Sequence, residues 1–295
     1  MPRPKRIQAP AKLNIRLKVT GRRPDGYHEL DTIMVPVSLF DHLEVSPISE
    51  KRIILTCHGL RIPADEENLV CRAAQAFFSL TGINQGLSIS LIKRIPVAAG
   101  LGGGSSDAAC TLKALNNMWD NPLSSQELEA LALRLGADVP FFLLSRPCRA
   151  RGIGEILEPI EKWPEFWYVI VSPPFHVSTS WVYRNLNLQL TTNEYASILS
   201  TLDKAPFEVA DILENDLEKV TAFRFPVINT IKKCLLDGGA EGSLMSGSGP
   251  STFGIFRSKD KALLAKTHLT SKDLGDIFVV AGFSEHAPHH KNLGA

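Results

Sequence analysis

The chain has 295 residues, 44% of them hydrophobic and 21% charged, enough to bury a substantial core in two domains or one large one. Its 32 lysines and arginines nearly balance 31 acids, and a net charge of +1 argues against a general nucleic-acid or membrane-surface binder. Five widely spaced cysteines (Cys57, Cys71, Cys110, Cys148, Cys234) form no Cys-x-x-Cys, which points to reduced thiols in a cytoplasmic setting and away from a structural zinc site.

The basic start, Met1 to Arg6, has no apolar region after it and is not expected to be a secretory signal. No apolar run approaches the ~20 residues of a membrane span. Residues 7 to 19 alternate without a break. Ile7, Ala9, Ala11, Leu13, Ile15, Leu17 and Val19 share one face, and Gln8, Pro10, Lys12, Asn14, Arg16 and Lys18 the other, which predicts a strand with one buried side. Pro10 suggests a sheet edge or an entry point. On this pattern alone Lys12 and Asn14 belong to a solvated sheet face. Gly21 to His28 is dense in turn residues, and Tyr27 and His28 either start the next strand or present an aromatic face and an imidazole to a ligand. Short strands are predicted at residues 33–37, 43–45 and 53–57. A helix follows from the N-cap Asn68 to Thr81, stopped by Gly82. Residues 87–91 alternate again and feed the next segment as a strand.

That segment is Pro96-Val97-Ala98-Ala99-Gly100-Leu101-Gly102-Gly103-Gly104-Ser105-Ser106. Glycine is costly to order, so four in five positions predict a turn rather than a helix interior. Ser105 and Ser106 stand where an N-cap belongs, with a helix running from Ser106 to Met118. Free backbone N–H groups and a helix dipole would converge there on an anion. The alternative is a flexible surface loop. Neither the Gly-x-x-x-x-Gly-Lys phosphate loop nor the dinucleotide spacing fits, since Ser105 replaces the third glycine.

Ser124 and Glu127 form a capping box for a helix to Leu135, ended by Gly136. Asp138 is then a lone carboxylate among small and apolar residues, either an N-cap ahead of Pro140 or a site carboxylate. Beside a helix N-terminus and a lysine such a group is kept as a proton acceptor. The strand at 168–172 opens the second half of the chain, which places a domain boundary at about residue 160, giving segments 1–160 and 161–295. Phe175 to Tyr183 reads as a loop entering a short helix. Beyond it come a helix from about Pro226 to Gly238-Gly239, a second glycine/serine turn over 243–250, a strand at 252–256, a helix from Asp260 and a strand at 277–281. The histidine-bearing tail, His286 to Lys291, is expected to be a loose end. No internal repeat or low-complexity segment is present.

Three of these segments together resemble the GHMP small-molecule kinase superfamily: Ala9-Pro10-Ala11-Lys12-Leu13-Asn14-Ile15, then Pro96 through Ala109, then Gly239-Ala240 through Met245-Ser246-Gly247-Ser248-Gly249-Pro250. Within it, the Gly21–His28 turn, the Leu135–Phe142 segment around Asp138 and Glu214-Asn215-Asp216-Leu217-Glu218 are similar to the 4-diphosphocytidyl-2-C-methyl-D-erythritol kinase family, over residues ~7 to ~282. The resemblance implies an α+β protein with a ribosomal-S5-like N-terminal domain, a ferredoxin-like C-terminal domain and the active site between them. It implies transfer of the ATP γ-phosphoryl to the 2-hydroxyl of the methylerythritol unit, in non-mevalonate isoprenoid precursor synthesis. The segment from Pro96 to Ser106 would then hold the ATP phosphates, with Mg²⁺ carried by ATP, water and Ser106. Asp138 would accept the hydroxyl proton or orient the hydroxyl, and Lys12 would offset transition-state charge. Tyr27 would stack on cytosine and His28 bond its edge, with Thr179 and Tyr183 across the pocket. Asn14, and Gly247 and Ser248 of the second turn, would face the acceptor. Monomer and weak homodimer both remain open. The competing readings are a homoserine- or mevalonate-type kinase of the same superfamily, against which the Tyr27-His28 pair speaks, and a non-catalytic metabolite or nucleotide sensor, against which intact Lys12 and Asp138 speak. A nucleic-acid binder has little support from a charge of +1.

Overall fold

The computed structural model describes residues 2–187 and 211–283; Met1 and the histidine tail lie outside them. Two long strands, β1 (Lys5–Arg22) and β2 (His28–Ile48), pair antiparallel from Lys5 opposite Val45 to Arg22 opposite His28. The strands predicted at 33–37 and 43–45 are therefore one. β1 carries the pairing past residues 38–42, and a register shift at Pro10/Ala11 absorbs Ser38 and Leu39. Around this hairpin a seven-stranded sheet forms in the order β3 (Ile53–Gly59), β4 (Gly86–Lys93), β2, β1, β8 (Glu214–Asn215). β5 (Cys148–Gly152) also pairs with β2, and β6 (Ile156–Pro159) with β5. A second sheet runs β11 (Asp276–Ala281), β7 (Trp167–Ser172), β10 (Thr252–Phe256), β9 (Gly242–Met245). β9 takes the first residues of the predicted second turn, which shortens to 246–251.

Helices α1 (Leu69–Thr81), α2 (Gly103–Met118), α3 (Ser125–Leu135) and α4 (Val139–Leu144) pack on the first sheet, where Phe77, Leu112, Leu131 and Phe141 meet Ile89, Leu91 and Met34. The opposite face of β1 and β2, with Leu13, Ile15, Ile33 and Val35, packs on Tyr168, Ile170, Phe253 and Ile255 of the second sheet. That sheet is covered behind by α7 (Val227–Asp237) and α8 (Lys259–Thr270). The short helices α5 (Thr179–Asn185) and α6 (Asp216–Arg224) close on Leu17 and Val19 at the far end of β1. Local caps work as predicted. Asn68 accepts from the Val70 amide, Gly82 ends α1 at φ 70°, and Ser124 and Glu127 cap each other's backbone.

Two further predictions fail, both for reasons of close packing. The face carrying Lys12 and Asn14 is not solvated: at 4% and 3% exposure both are buried beneath the glycine segment and α4. The N-cap of α2 is Gly102 (φ 71°) and not Ser105 or Ser106, so Gly103 and Gly104 lie within the first helical turn. A Cβ at Gly103 would stand 2.7 Å from the Lys93 ammonium and 3.0 Å from Ile95. That approach of helix to strand outweighs the ~0.5–1 kcal/mol entropic penalty of glycine in a helix.

Under this turn Lys93 bridges Asp41 of β2 and Asp107 of α2, all three buried. Burial works against the Lys93 ammonium, but the charges of Asp107 and Asp41 outweigh it and raise its pKa. Burial pushes the Asp107 carboxyl up to about 7; Lys93 opposes that shift and Asp41 adds to it. The folded chain thus keeps a proton that the unfolded chain releases near pH 3.8. Stability from this group is full below that pH and is lost as pH rises through about 7. Asp107→Asn is expected to flatten the decline, seen as a smaller difference between urea unfolding free energies at about pH 5 and about pH 7.5 than in the parent protein.

Candidate active site

β1 delivers Lys12 and Asn14 side by side, because residues two apart on a strand share a face. The Lys12 ammonium donates to the Asn14 side-chain oxygen and lies 3.6 Å from an Asp138 carboxylate oxygen. Asp138 occupies the cap position of α4 but makes no side-chain cap bond. Its carboxylate, 38% exposed, faces the cleft and Lys12 instead. The Asn14 amide nitrogen donates to Thr32 Oγ1 at 2.8 Å, and Thr32 in turn to the Arg16 carbonyl, so neither end of the asparagine is left unpaired.

The two glycine turns meet above this pair. Ser246 Oγ accepts from the Asn14 backbone N–H at 3.2 Å and donates to the Gly100 carbonyl at 2.9 Å. The Lys12 N–H donates to the Leu101 carbonyl at 2.9 Å, and the Ser251 N–H to Ala99 at 3.2 Å. Gly100 (φ 79°) has no room for a side chain, since a Cβ would lie 2.0 Å from the Ser246 carbonyl oxygen. The first-turn N–H groups of α2 have no partners within their own helix, and with the positive end of its dipole they suit a polyphosphate.

These elements wall a cleft of about 1560 Å³. Pro96, Val97, Ala98, Ala99, Gly100, Gly102, Gly103, Gly104 and Ser105 line it, with Lys12, Asn14, Asp138, Gly247 and Ser248 at its centre. Leu101 does not: its side chain is core, and only its carbonyl serves the site. Ser106 does not either. Its hydroxyl is buried without a hydrogen-bond partner in the first turn of α2. One end of the cleft holds Tyr27, His28, Thr179 and Tyr183. His28 stacks on Tyr183 at 4.9 Å between ring centroids, whereas Tyr27 is 59% exposed. Thr179 Oγ1 meets Ser248 Oγ at 2.8 Å. Burial, then the charge of Asp138, raises the Tyr183 phenol and keeps it protonated; burial, then Arg22, lowers His28 and favours the neutral imidazole.

Sequence reasoning did not assign Ile62, Pro63, Asn68, Leu69 and Lys93 to the site, yet they line the opposite end of the cleft. Asn68 was legible only as a helix cap, and a lysine ending the strand before a glycine turn was the one local signal for Lys93. Among the described residues no group of three or more His, Cys, Asp or Glu side chains is arranged to hold a metal, and none of the helices is long and apolar enough to cross a membrane.

Residues 68–146 match the GHMP kinases N terminal domain and residues 204–273 the GHMP kinases C terminal domain. The expected two-domain α+β architecture is thus that of an ATP-dependent small-molecule kinase. A 4-diphosphocytidyl-2-C-methyl-D-erythritol kinase from Syntrophotalea carbinolica is 48% identical over 274 residues, 92% of this chain and 96% of that one. A crystal structure of 4-(cytidine 5'-diphospho)-2C-methyl-D-erythritol kinase superposes with a TM-score of 0.81 at 38% identity, covering 95% of this chain and 100% of that one. Homoserine kinase from Cytophaga hutchinsonii, with a TM-score of 0.75 and 21% identity over 95% of each chain, shares the fold alone. The chain belongs to the 4-diphosphocytidyl-2-C-methyl-D-erythritol kinase family.

Gly100 and Gly104 separate shape from composition in the first glycine turn. Gly100→Ala is expected to lower stability by at least the ~1–3 kcal/mol of a strained backbone residue. Gly104→Ala, where the nearest atom is Leu69 Cδ1 at 3.5 Å, is expected to leave stability unchanged or raise it in thermal melts.

Proposed function

We propose that the protein transfers the γ-phosphoryl of ATP to the 2-hydroxyl of 4-diphosphocytidyl-2-C-methyl-D-erythritol. The observation that carries this reading is the buried Lys12 ammonium beside the half-exposed Asp138 carboxylate, set between two glycine turns that touch. The first-turn amides of α2 and the backbone of residues 96–105 hold the ATP phosphates. Asp138 receives or orients the acceptor hydroxyl. The hydroxyl oxygen forms the new bond to the γ-phosphorus as the bond to the bridging β–γ oxygen breaks. ADP leaves, and the hydroxyl proton passes to Asp138. Lys12 lies within reach of the charge gathering on the transferring group, in a site where little water screens it. Lys12 is in turn oriented by Asn14, and Asn14 by Thr32, so the reacting end is pre-set.

Both substrates carry a nucleobase, and the cleft has two ends. His28, Tyr183, Tyr27 and Thr179 take the cytosine by stacking and edge bonds, and the 62–69 segment takes the adenine. Mg²⁺ bound to ATP would neutralise phosphate charge; with the Ser106 hydroxyl buried and outside the cleft lining, ATP and water would hold it. The whole site is built from one chain, so a monomer suffices and a weak homodimer is compatible. Five free thiols support a cytoplasmic setting. The division of the chain near residue 160 belongs to the same reading, with β7 opening the second domain.

The test is ADP release with Mg·ATP and the cytidyl substrate, beside homoserine, mevalonate and methylerythritol phosphate. Turnover confined to the cytidyl substrate is expected, and Asp138→Asn is expected to lower kcat by about 10²–10⁴ while ATP binding persists. Turnover of a small alcohol in its place would overturn the cytidyl assignment.

A further inference from the structure

Asn215 ends β8, whose two residues run parallel to β1 at Arg16 and Leu17, and it begins α6. It is buried, and its side chain is fully used. The side-chain oxygen accepts from the Leu217 N–H at 2.9 Å and so caps α6. The amide nitrogen donates twice, to the Met245 carbonyl at 2.7 Å and to the Gly247 carbonyl at 2.9 Å. One residue therefore spans the second glycine turn from its base to its tip. The rest of α6 reinforces it. Thr221 Oγ1 donates to the Ser248 carbonyl at 3.2 Å, and the Asp216 carboxylate accepts from the Val19 N–H of β1 at 2.7 Å. What is held lies at the centre of the cleft. A Cβ at Gly247 would stand 3.3 Å from the Asn14 side-chain oxygen, and Ser248 meets Thr179.

We propose that Asn215 is a positioning residue for phosphoryl transfer, fixing the second glycine turn against Asn14 and thereby the acceptor hydroxyl against Asp138. The inference rests on the kinase reading above. Only a side chain with two N–H groups and an oxygen in one plane serves all three partners. A carboxylate of the same size keeps the cap but has nothing to donate, and sets its charge against two carbonyl oxygens. Misplacement of a reacting group by about 1 Å is enough to cost on the order of 10² in rate.

Asn215→Asp separates the two roles, because aspartate caps helices as well as asparagine does. It is compared with the parent protein and with Ser124→Ala, which breaks a remote helix cap. Four quantities are read: kcat with the cytidyl acceptor, KM for ATP, the ratio of ATP hydrolysed to acceptor phosphorylated, and hydrogen exchange over residues 245–250. Asn215→Asp is expected to lower kcat by about tenfold or more with little change in KM for ATP. It is also expected to raise the hydrolysis ratio above the near-zero value of a coupled kinase and speed exchange at 245–250. Ser124→Ala is expected to lower the melting temperature alone. An Asn215→Asp protein with parental kcat and coupling, or with unchanged exchange at 245–250, overturns the proposal. If that variant does not fold, Thr221→Val, which removes the bond to Ser248 while keeping the side chain's shape, carries the same expectations and the same refutation. Failure of the parent protein to phosphorylate the acceptor would count against the kinase reading instead, and the exchange measurement would still judge the clamp.

Discussion

The site depends on burying a lysine and an asparagine on one face of an interior strand. An ammonium and an amide withdrawn from water are strongly unfavourable unless each polar atom finds a partner. Lys12 finds Asn14 and Asp138; Asn14 finds Lys12, Thr32 and, through its backbone, Ser246. Those partners come from β2, the start of α4 and a turn 232 residues away in sequence. β1 can be covered on this face only when both glycine turns have docked over it. Completing the core and assembling the reacting end of the cleft are therefore one event.

Close backbone contact is the second constraint. The first glycine turn lies against the second at Gly100 and Ser246, and against β4 at Gly103 and Lys93. Side chains are excluded at these points by neighbouring backbone and by a buried ammonium. Lys93, Asp41 and Asp107 then join the interior of β2 and the end of β4 to the second turn of α2, beneath the helix's first-turn amides. Removing Lys93 would leave two buried carboxylates without a counter-charge, at a typical penalty of about 3–5 kcal/mol. The first glycine turn thus rests on a buried, hydrogen-bonded floor.

What the sequence reveals divides along the range of the interactions. The caps at Asn68, Gly82, Ser124 and Gly136 were legible because their signals sit within a few residues of their effects. The alternation of residues 7–19 correctly announced a strand, but alternation cannot tell a solvated face from one covered by a distant turn, so Lys12 and Asn14 were misplaced on pattern alone. Their resemblance to a kinase motif pointed the other way, and burial agrees with it. The single long β2 was hidden because its continuity comes from pairing with β1, not from its own composition. Ser105 and Ser106 looked like caps because serine favours that position, whereas close packing on Lys93 and Ile95 moved the helix start back to Gly103. Asn215 stands inside the Glu214–Glu218 signature, yet its two hydrogen bonds to the second turn needed the fold to bring residues 30 and 32 positions away beside it.

On the function proposed above, two nucleotide-like substrates enter from opposite ends of one cleft and meet over Lys12 and Asp138. A structure of the protein with a non-hydrolysable ATP analogue and the cytidyl acceptor tests this most directly. Phosphates are expected on the amides of residues 100–105, cytosine against His28 and Tyr183, and the 2-hydroxyl within hydrogen-bond distance of Asp138. Cytosine bound at the 62–69 end, or a 2-hydroxyl out of reach of Asp138, would contradict it.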